Sequence, residues 1–443
     1  MKIYFFSPLI NNGISMAKRF VVALSVSLWL SVSLQAQKDC RLEFAAELPT
    51  EPCRDYREYA PLEASHTPVK LIRIVVHVIQ QDAGLPARNF ENNRTGNDWI
   101  NAMLWQLNVI FRNLVPISHP IADCPSTYMK DARIQFRTDS IFFHQNSRHW
   151  KHGSRGGTTW CNIWDDLIRD NPAIPNDLKD NAFHVFLVHS TWSEWHTGFS
   201  PGIGILYENF VVMGGYYIAL FEKDKPDLDN TPYGAALTLA HEFGHAFGLY
   251  HSNGGDYCCD TETGKTNNLM NSGAAALSEC QLARMHYLLE SGEHATQKGQ
   301  SSGICKAIAT DYCHKDESYD IEIPASQTVI WSASKKLTTD IIVRSGAQLI
   351  IRCRIGLPDE ARIEVERGAR LIIDGGSITH NHALWPRCES GVWGGIVAQG
   401  GIKRITKKME LHSPTLPKPS QAGEAWLRNA VLEHVAGTGI LRK

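Results

Sequence analysis

The 443-residue sequence lacks an excess of charge of either sign: 44 Lys and Arg stand against 46 Asp and Glu, a net charge of −2 with a pI near 6.8. That balance gives no reason to expect nucleic acid or an anionic membrane as a partner, because both are gathered by clustered positive charge. A transmembrane segment is also missing. The longest apolar stretch, Phe20 to Leu34, is short for a membrane span. Lys18 and Arg19 precede it, and Gln35 and Ala36 follow. This is the layout of a signal peptide over residues 1–36, with cleavage after Ala36. Residues before Met16 add nothing to that pattern, so Met16 is a second candidate start.

Cysteine and histidine are plentiful, at 11 and 19 residues. In an exported chain the cysteines imply disulfides, and their odd number leaves at least one without an intramolecular partner. Cys305 and Cys313 are close enough in sequence to close a local loop.

The histidines include one dense run, His241-Glu242-Phe243-Gly244-His245-Ala246-Phe247-Gly248-Leu249-Tyr250-His251. His241 and His245 stand at i and i+4, so on a helix both imidazoles project from one face and can reach one metal at about 2.0 to 2.1 Å. A helix continued to His251 would carry that residue about 15 Å along the axis, out of reach. Gly248 supplies the break, because glycine tolerates the left-handed conformation that ends helices. Upstream, Thr231 and Pro232 suit an N-cap and a first helical residue. With this composition His-Glu-x-x-His arises by chance roughly 0.04 times per chain, and with the glycine and third histidine added roughly 0.0001 times. A structural zinc would leave Glu242 without a task, and such sites usually close the fourth position with Cys or His.

The run is similar to the zinc signature of the metzincin metallopeptidases, which a methionine turn follows. Asn267-Asn268-Leu269-Met270-Asn271-Ser272 stands at a suitable distance and resembles that turn. Ser278-Glu279-Cys280-Gln281 then reads as a capping box opening a helix with Leu282, Met285 and Leu289 on one face. Together these segments most resemble the pappalysin and cytophagalysin group, over roughly residues 69 to 290.

The resemblance implies an α/β (α+β) catalytic domain with a mixed sheet and an active-site helix. His241, His245 and His251 would bind Zn2+, Glu242 would be the general base and then acid, and Met270 would form an apolar floor. One of Cys258 and Cys259 would bridge to Cys280. Some metzincins carry a tyrosine two residues after the turn methionine; here that position is Ser272. The acidic loop with Asp256, Asp260 and Glu262 is read as a solvated loop, with its resemblance to a calcium-binding region of some relatives as the alternative. The implied activity is that of a secreted zinc endopeptidase acting on protein or peptide substrates. The alternative is a surface or carbohydrate-binding protein with an inactive peptidase-like module.

The remaining organisation follows from composition. Residues 37–67, polar with Pro49, Pro52 and Pro61, read as a propeptide or leader in which Cys40 or Cys53 could plug a zinc site or pair with each other. The catalytic domain is placed at 68–290, with strands at Leu71–Ile79, from Ile134, at Phe183–Val188 and at Val211–Ile218. An amphipathic helix carries Ile100, Met103, Leu104, Leu107 and Phe111. The stretch 144–181, with Trp150, Gly156, Gly157 and Trp160, is a long connection that is either a cleft rim or decoration. His184 and His189 flank an apolar strand and read as structural. A linker is expected at 291–315.

Beyond it, Val343-Arg-Ser-Gly-Ala-Gln-Leu-Ile-Ile and Val365-Glu-Arg-Gly-Ala-Arg-Leu-Ile-Ile repeat with a 22-residue period. Residues 316–443 are therefore expected to be all-β, as part of a parallel β-helix or as plain sandwich strands. Surface or glycan contact is the partner expected of that region. No capping segment follows Gly437-Thr-Gly-Ile-Leu441, so a truncated reading frame is the sequence-based expectation.

Overall fold

The structure is a computed structural model that describes residues 59–82, 92, 94–150, 163, 165–188, 210–214, 231–252, 258–261, 267–272, 274–291, 304–385, 387–404, 422–436 and 440–442. The expected signal peptide, Cys40, Cys53, Gly156, Gly157, Trp160, His189, Asp256 and Glu262 lie outside the described residues. The chain from Cys40 to Lys443 forms one compact unit.

A four-stranded sheet organises the first half, in the order β2-β1-β3-β4, from β1 (Lys70–Gln80), β2 (Ile134–Gln145), β3 (Phe183–Val188) and β4 (Phe210–Gly214). All three pairings are parallel. Both faces of this sheet are covered, as parallel sheets require; the segments flanking β4, 189–209 and 215–230, lie outside the described residues. On β1, Ile72, Ile74, Val76 and Val78 enter one core, whereas Val75 and Ile79 enter another on the opposite face. The first face packs against α1 (Arg94–Arg112) and α2 (Pro232–Ala246), through Ile100, Met103, Leu107, Phe243 and Phe247. A third helix, α3 (Glu279–Ser291), adds Leu282, Met285 and Leu289 to the same core.

The second half consists of short strands in three parallel sheets. Strands β5 (Ile321–Ile323), β8 (Ile341–Val343), β11 (Arg362–Val365), β14 (Gly395–Ala398) and β18 (Ile440–Arg442) form one sheet. The second holds β6 (Thr328–Trp331), β9 (Gln348–Ile351), β12 (Arg370–Asp374), β16 (Gly423–Arg428) and β15 (Gly400–Arg404). The third holds β7 (Lys335–Lys336), β10 (Arg354–Leu357), β13 (Ser377–His380) and β17 (Val431–Leu432). From β5 to β14 the chain visits the three sheets in strict rotation. Val343 pairs with Val365 and Leu349 with Leu371, so positions one repeat apart lie side by side. Ile323, Val343, Leu349, Ile355, Ile363 and Trp393 pack in the core shared by the sheets.

The two halves meet at a seam. Ile72 of β1 bridges to Ile308, and Ala309 N–H donates to Leu71 O at 2.6 Å. Ile304, Cys305, Ile308 and Tyr312 are fully buried, so the later part of the expected linker is packed structure; residues 292–303 lie outside the described residues. Within the expected leader, Tyr59, Ala60, His66 and Thr67 are buried. Lys335 Nζ donates to Leu62 O at 2.8 Å and to Thr67 Oγ1 at 2.9 Å. At the centre of the seam Glu290 of α3 lies 2.7 Å from Lys70 of β1 and 2.7 Å from Lys336 of β7. Burial alone would push the Glu290 carboxyl up, but the two lysines hold it down at about 2.

Candidate metal centre

Helix α2 begins as its sequence indicates. Thr231 is the N-cap, its side chain accepting Gly234 N–H at 3.0 Å, and Pro232 opens the helix. Two i, i+4 pairs then divide its circumference. Phe243 and Phe247 face the sheet, where Phe243 lies 4.5 Å from Phe136 and 4.8 Å from Phe183 between ring centroids. His241 and His245 precede them by two residues, about 200° around the axis, and so face away from the sheet. The helix ends at Gly248, with φ of 88°. Gly248 N–H donates to His245 O and Leu249 N–H to Gly244 O, each at 2.9 Å, the paired bonds of a Schellman turn. The chain reverses there and returns His251 to the other two histidines.

The three Nε2 atoms form a nearly equilateral triangle, with sides of 3.2, 3.1 and 3.1 Å. A tetrahedral ion with bonds of about 2.0 to 2.1 Å would hold its nitrogens about 3.3 Å apart. The Nδ1 atoms decide what fills such a triangle. His241 Nδ1–H donates to Leu269 O at 2.7 Å and His245 Nδ1–H to Leu249 O at 2.8 Å. A neutral imidazole with its proton on Nδ1 presents a bare lone pair at Nε2. Burial lowers the pKa of His241, and it pushes His245 down to about 3, so both rings are held neutral. Converging lone pairs repel unless a cation lies between them, and the donor set fits zinc. His245 is buried, His241 half-buried and His251 exposed, so the triad opens to solvent on the His251 side. Glu242 is buried beside the triad, 6% exposed.

Met270 lies in a single helical turn, Leu269–Ser272, and is fully buried. A Cβ on Gly244 would meet its Sδ at 2.4 Å, so the bare backbone at residue 244 is what admits the methionine beneath the helix. Gly244 is not among the residues that the zinc-signature pattern singles out. Its signal was a glycine inside a helix with no capping role.

The capping box is present. Gln281 N–H donates to Ser278 Oγ at 3.1 Å, and Ser278 N–H to Gln281 Oε1 at 3.0 Å. Cys258 pairs with Cys280, and Cys259 with Cys124. Cys313 pairs with Cys388, which corrects the expected loop between Cys305 and Cys313: the strands bring a residue 75 positions away to Cys313. Cys305 and Cys353 each take part in a disulfide as well. Asp260, the described member of the acidic loop, is buried, and its Oδ2 accepts Cys280 N–H at 3.0 Å at the start of α3. That carboxylate caps a helix, and nothing among the described residues supports calcium.

His184 does not stand alone. It forms a buried row across three strands with His77 and His144: His77 Nε2 lies 2.8 Å from His184 Nδ1, and His77 Nδ1 2.9 Å from His144 Nε2. The row lies on the sheet face opposite α2, with Phe186 stacked on His77 at 4.8 Å.

No helix among the described residues is long and apolar enough to cross a membrane. No family model matches the chain. No curated protein matches it either. Among solved structures it is similar to mature mirolysin of Tannerella forsythia in complex with a cleaved peptide, at a TM-score of 0.32 and 17% identity, covering 54% of this chain and 99% of that one.

Proposed function

We propose that this chain is a secreted zinc-dependent metalloendopeptidase. The observation that carries the reading is the triangle of Nε2 atoms from His241, His245 and His251, two of them with their Nδ1 protons committed to carbonyls. In this reading the three histidines hold the ion and leave the solvent side for substrate. Zinc bound there supplies Lewis acidity toward water and toward the scissile carbonyl. Glu242 takes the proton from the attacking water and hands it to the departing amine, a task suited to a carboxylate one residue from a ligand. Met270 forms the apolar floor.

The domain reading assigns 1–36 to a signal peptide, 37–67 to a leader, 68–290 to the catalytic module and 316–443 to part of a parallel β-helix. Support for the β-helix comes from the rotation among three parallel sheets and from the pairing of residues one 22-residue repeat apart. Disulfides at all eight described cysteines favour export. Glycan or surface contact gains no support from the described residues, and peptides remain the substrate class.

The test is cleavage of a mixed peptide pool by the zinc-loaded protein, wild type against Glu242→Ala. Cleavage by the wild type alone supports the assignment. Equal cleavage by both removes Glu242 from the chemistry, and a zinc-loaded wild type that cleaves nothing removes the peptidase reading.

A further inference from the structure

Helix α3 reaches both turns that present the histidines. We infer that Gln281 and Arg284, one helical turn apart on α3, are positioning residues for the metal centre; the inference rests on the zinc reading above.

The chain of contacts runs inward from Gln281. Its side-chain amide pairs with that of Asn268: Asn268 Nδ2 donates to Gln281 Oε1 at 2.8 Å, and Gln281 Nε2 donates to Asn268 Oδ1 at 3.3 Å. Asn268 Oδ1 also accepts Met270 N–H at 2.9 Å, which closes the turn around Leu269. Leu269 is fixed on its other side by donating its N–H to Ala276 O at 2.8 Å. The carbonyl of Leu269 is the acceptor for His241 Nδ1–H. The direction of the His241 ring, and the aim of its Nε2, is therefore set by a carbonyl that Gln281 holds through Asn268. Asn268, Ser278 and Gln281 are all at most 1% exposed, so water cannot replace a lost bond in this network.

Arg284 acts on the opposite turn. Its Nη2 donates to Gly248 O at 3.2 Å, and its guanidinium lies 5.9 Å from the Tyr250 ring centroid. Residues 248 to 250 are the reversal that delivers His251. The neighbouring Cys280 is bonded to Cys258, which ties down the chain beyond His251. One face of one helix thus braces both segments, residues 248–250 and 268–270, that orient His251 and His241.

Outer partners that orient metal-ligating histidines typically change metal affinity by about 10- to 100-fold when removed. The experiment measures zinc affinity of the full chain by chelator competition, and the ligand-field absorption of the Co2+-loaded protein. Gln281→Leu removes the whole amide pair and is expected to weaken zinc binding about 10- to 100-fold and to shift the cobalt bands. Gln281→Glu keeps an acceptor for Asn268 Nδ2–H and Ser278 N–H and is expected to retain most of the affinity. Arg284→Met, a change on the flank of the helix, gives a second reading should Gln281→Leu fail to fold. Glu290→Gln, on the same helix at the seam, is the control for general loosening. Unchanged affinity and cobalt spectra in Gln281→Leu and Arg284→Met would overturn the inference, as would an equal loss in Glu290→Gln. A wild type that takes up no zinc overturns the zinc reading itself.

Discussion

Met270 occupies the space that a side chain on Gly244 would need: a Cβ there would lie 2.4 Å from its Sδ and 3.2 Å from its Cε. The fully buried methionine has little room to withdraw. Gly244→Ala is expected to destabilise the protein by about 1 to 3 kcal/mol through overpacking. Adding Met270→Val, which shortens the opposing side chain, should recover part of that loss. Urea unfolding of the two single variants and the double variant checks this, and strict additivity would show that the residues do not compete for the same space.

The buried ion cluster at the seam should matter far more than ion pairs on the surface. Lys336→Met leaves the buried Glu290 with Lys70 alone, and breaking such a cluster typically destabilises by about 3 to 5 kcal/mol. Arg94 and Asp98 form an exposed i, i+4 pair at 3.6 Å. Arg94→Ala should leave the unfolding midpoint in place. Similar midpoints for the two variants would contradict this account of the seam.

The Cys258–Cys280 bond closes a loop with a sequence separation of 22. Chain entropy assigns such a closure about 3 kcal/mol. Cys258→Ser with Cys280→Ser should lower stability by about that amount. Zinc affinity should fall as well, since the chain beyond His251 is released from α3. Chelator competition on the double variant separates the two effects.

The three-histidine row predicts an acid-sensitive fold. Burial holds His144 and His184 down at about 4 and His77 well below its ordinary value, against 6.5 when unburied. Between pH 6.5 and 4 the unfolded chain takes up protons that the folded chain refuses, so stability is present above that window and is lost as pH falls through it. Each such histidine contributes a slope approaching about 1.4 kcal/mol per pH unit. Urea midpoints of the metal-free protein at pH 7 and pH 5 should differ, and His144→Gln should shrink the difference. An equal drop in wild type and variant would remove His144 from the acid response.

Local periodicity made the sheet strands and the three long helices legible, because each buries a face whose spacing the chain writes directly. The His241 to His251 run, the glycine break and the capping box at Ser278 were legible for the same reason: every partner lies within a few residues. Sequence alone likewise gave the 22-residue repeat whose copies pair side by side.

What only the tertiary structure decided are contacts between distant segments. Nothing local announces that Cys313 meets Cys388, that Cys259 meets Cys124, or that His77, His144 and His184 line up across three strands. The parallel direction of the four strands of the first sheet was equally hidden, because a strand's own pattern records which faces are buried and says nothing of its neighbour's direction. Gly244 needed the position of Met270, and Gln281 needed that of Asn268. The sequence determined the three histidines and the helix that carries the first two; the tertiary fold determined which carbonyls aim their rings, since long-range packing alone brings Leu269 to His241.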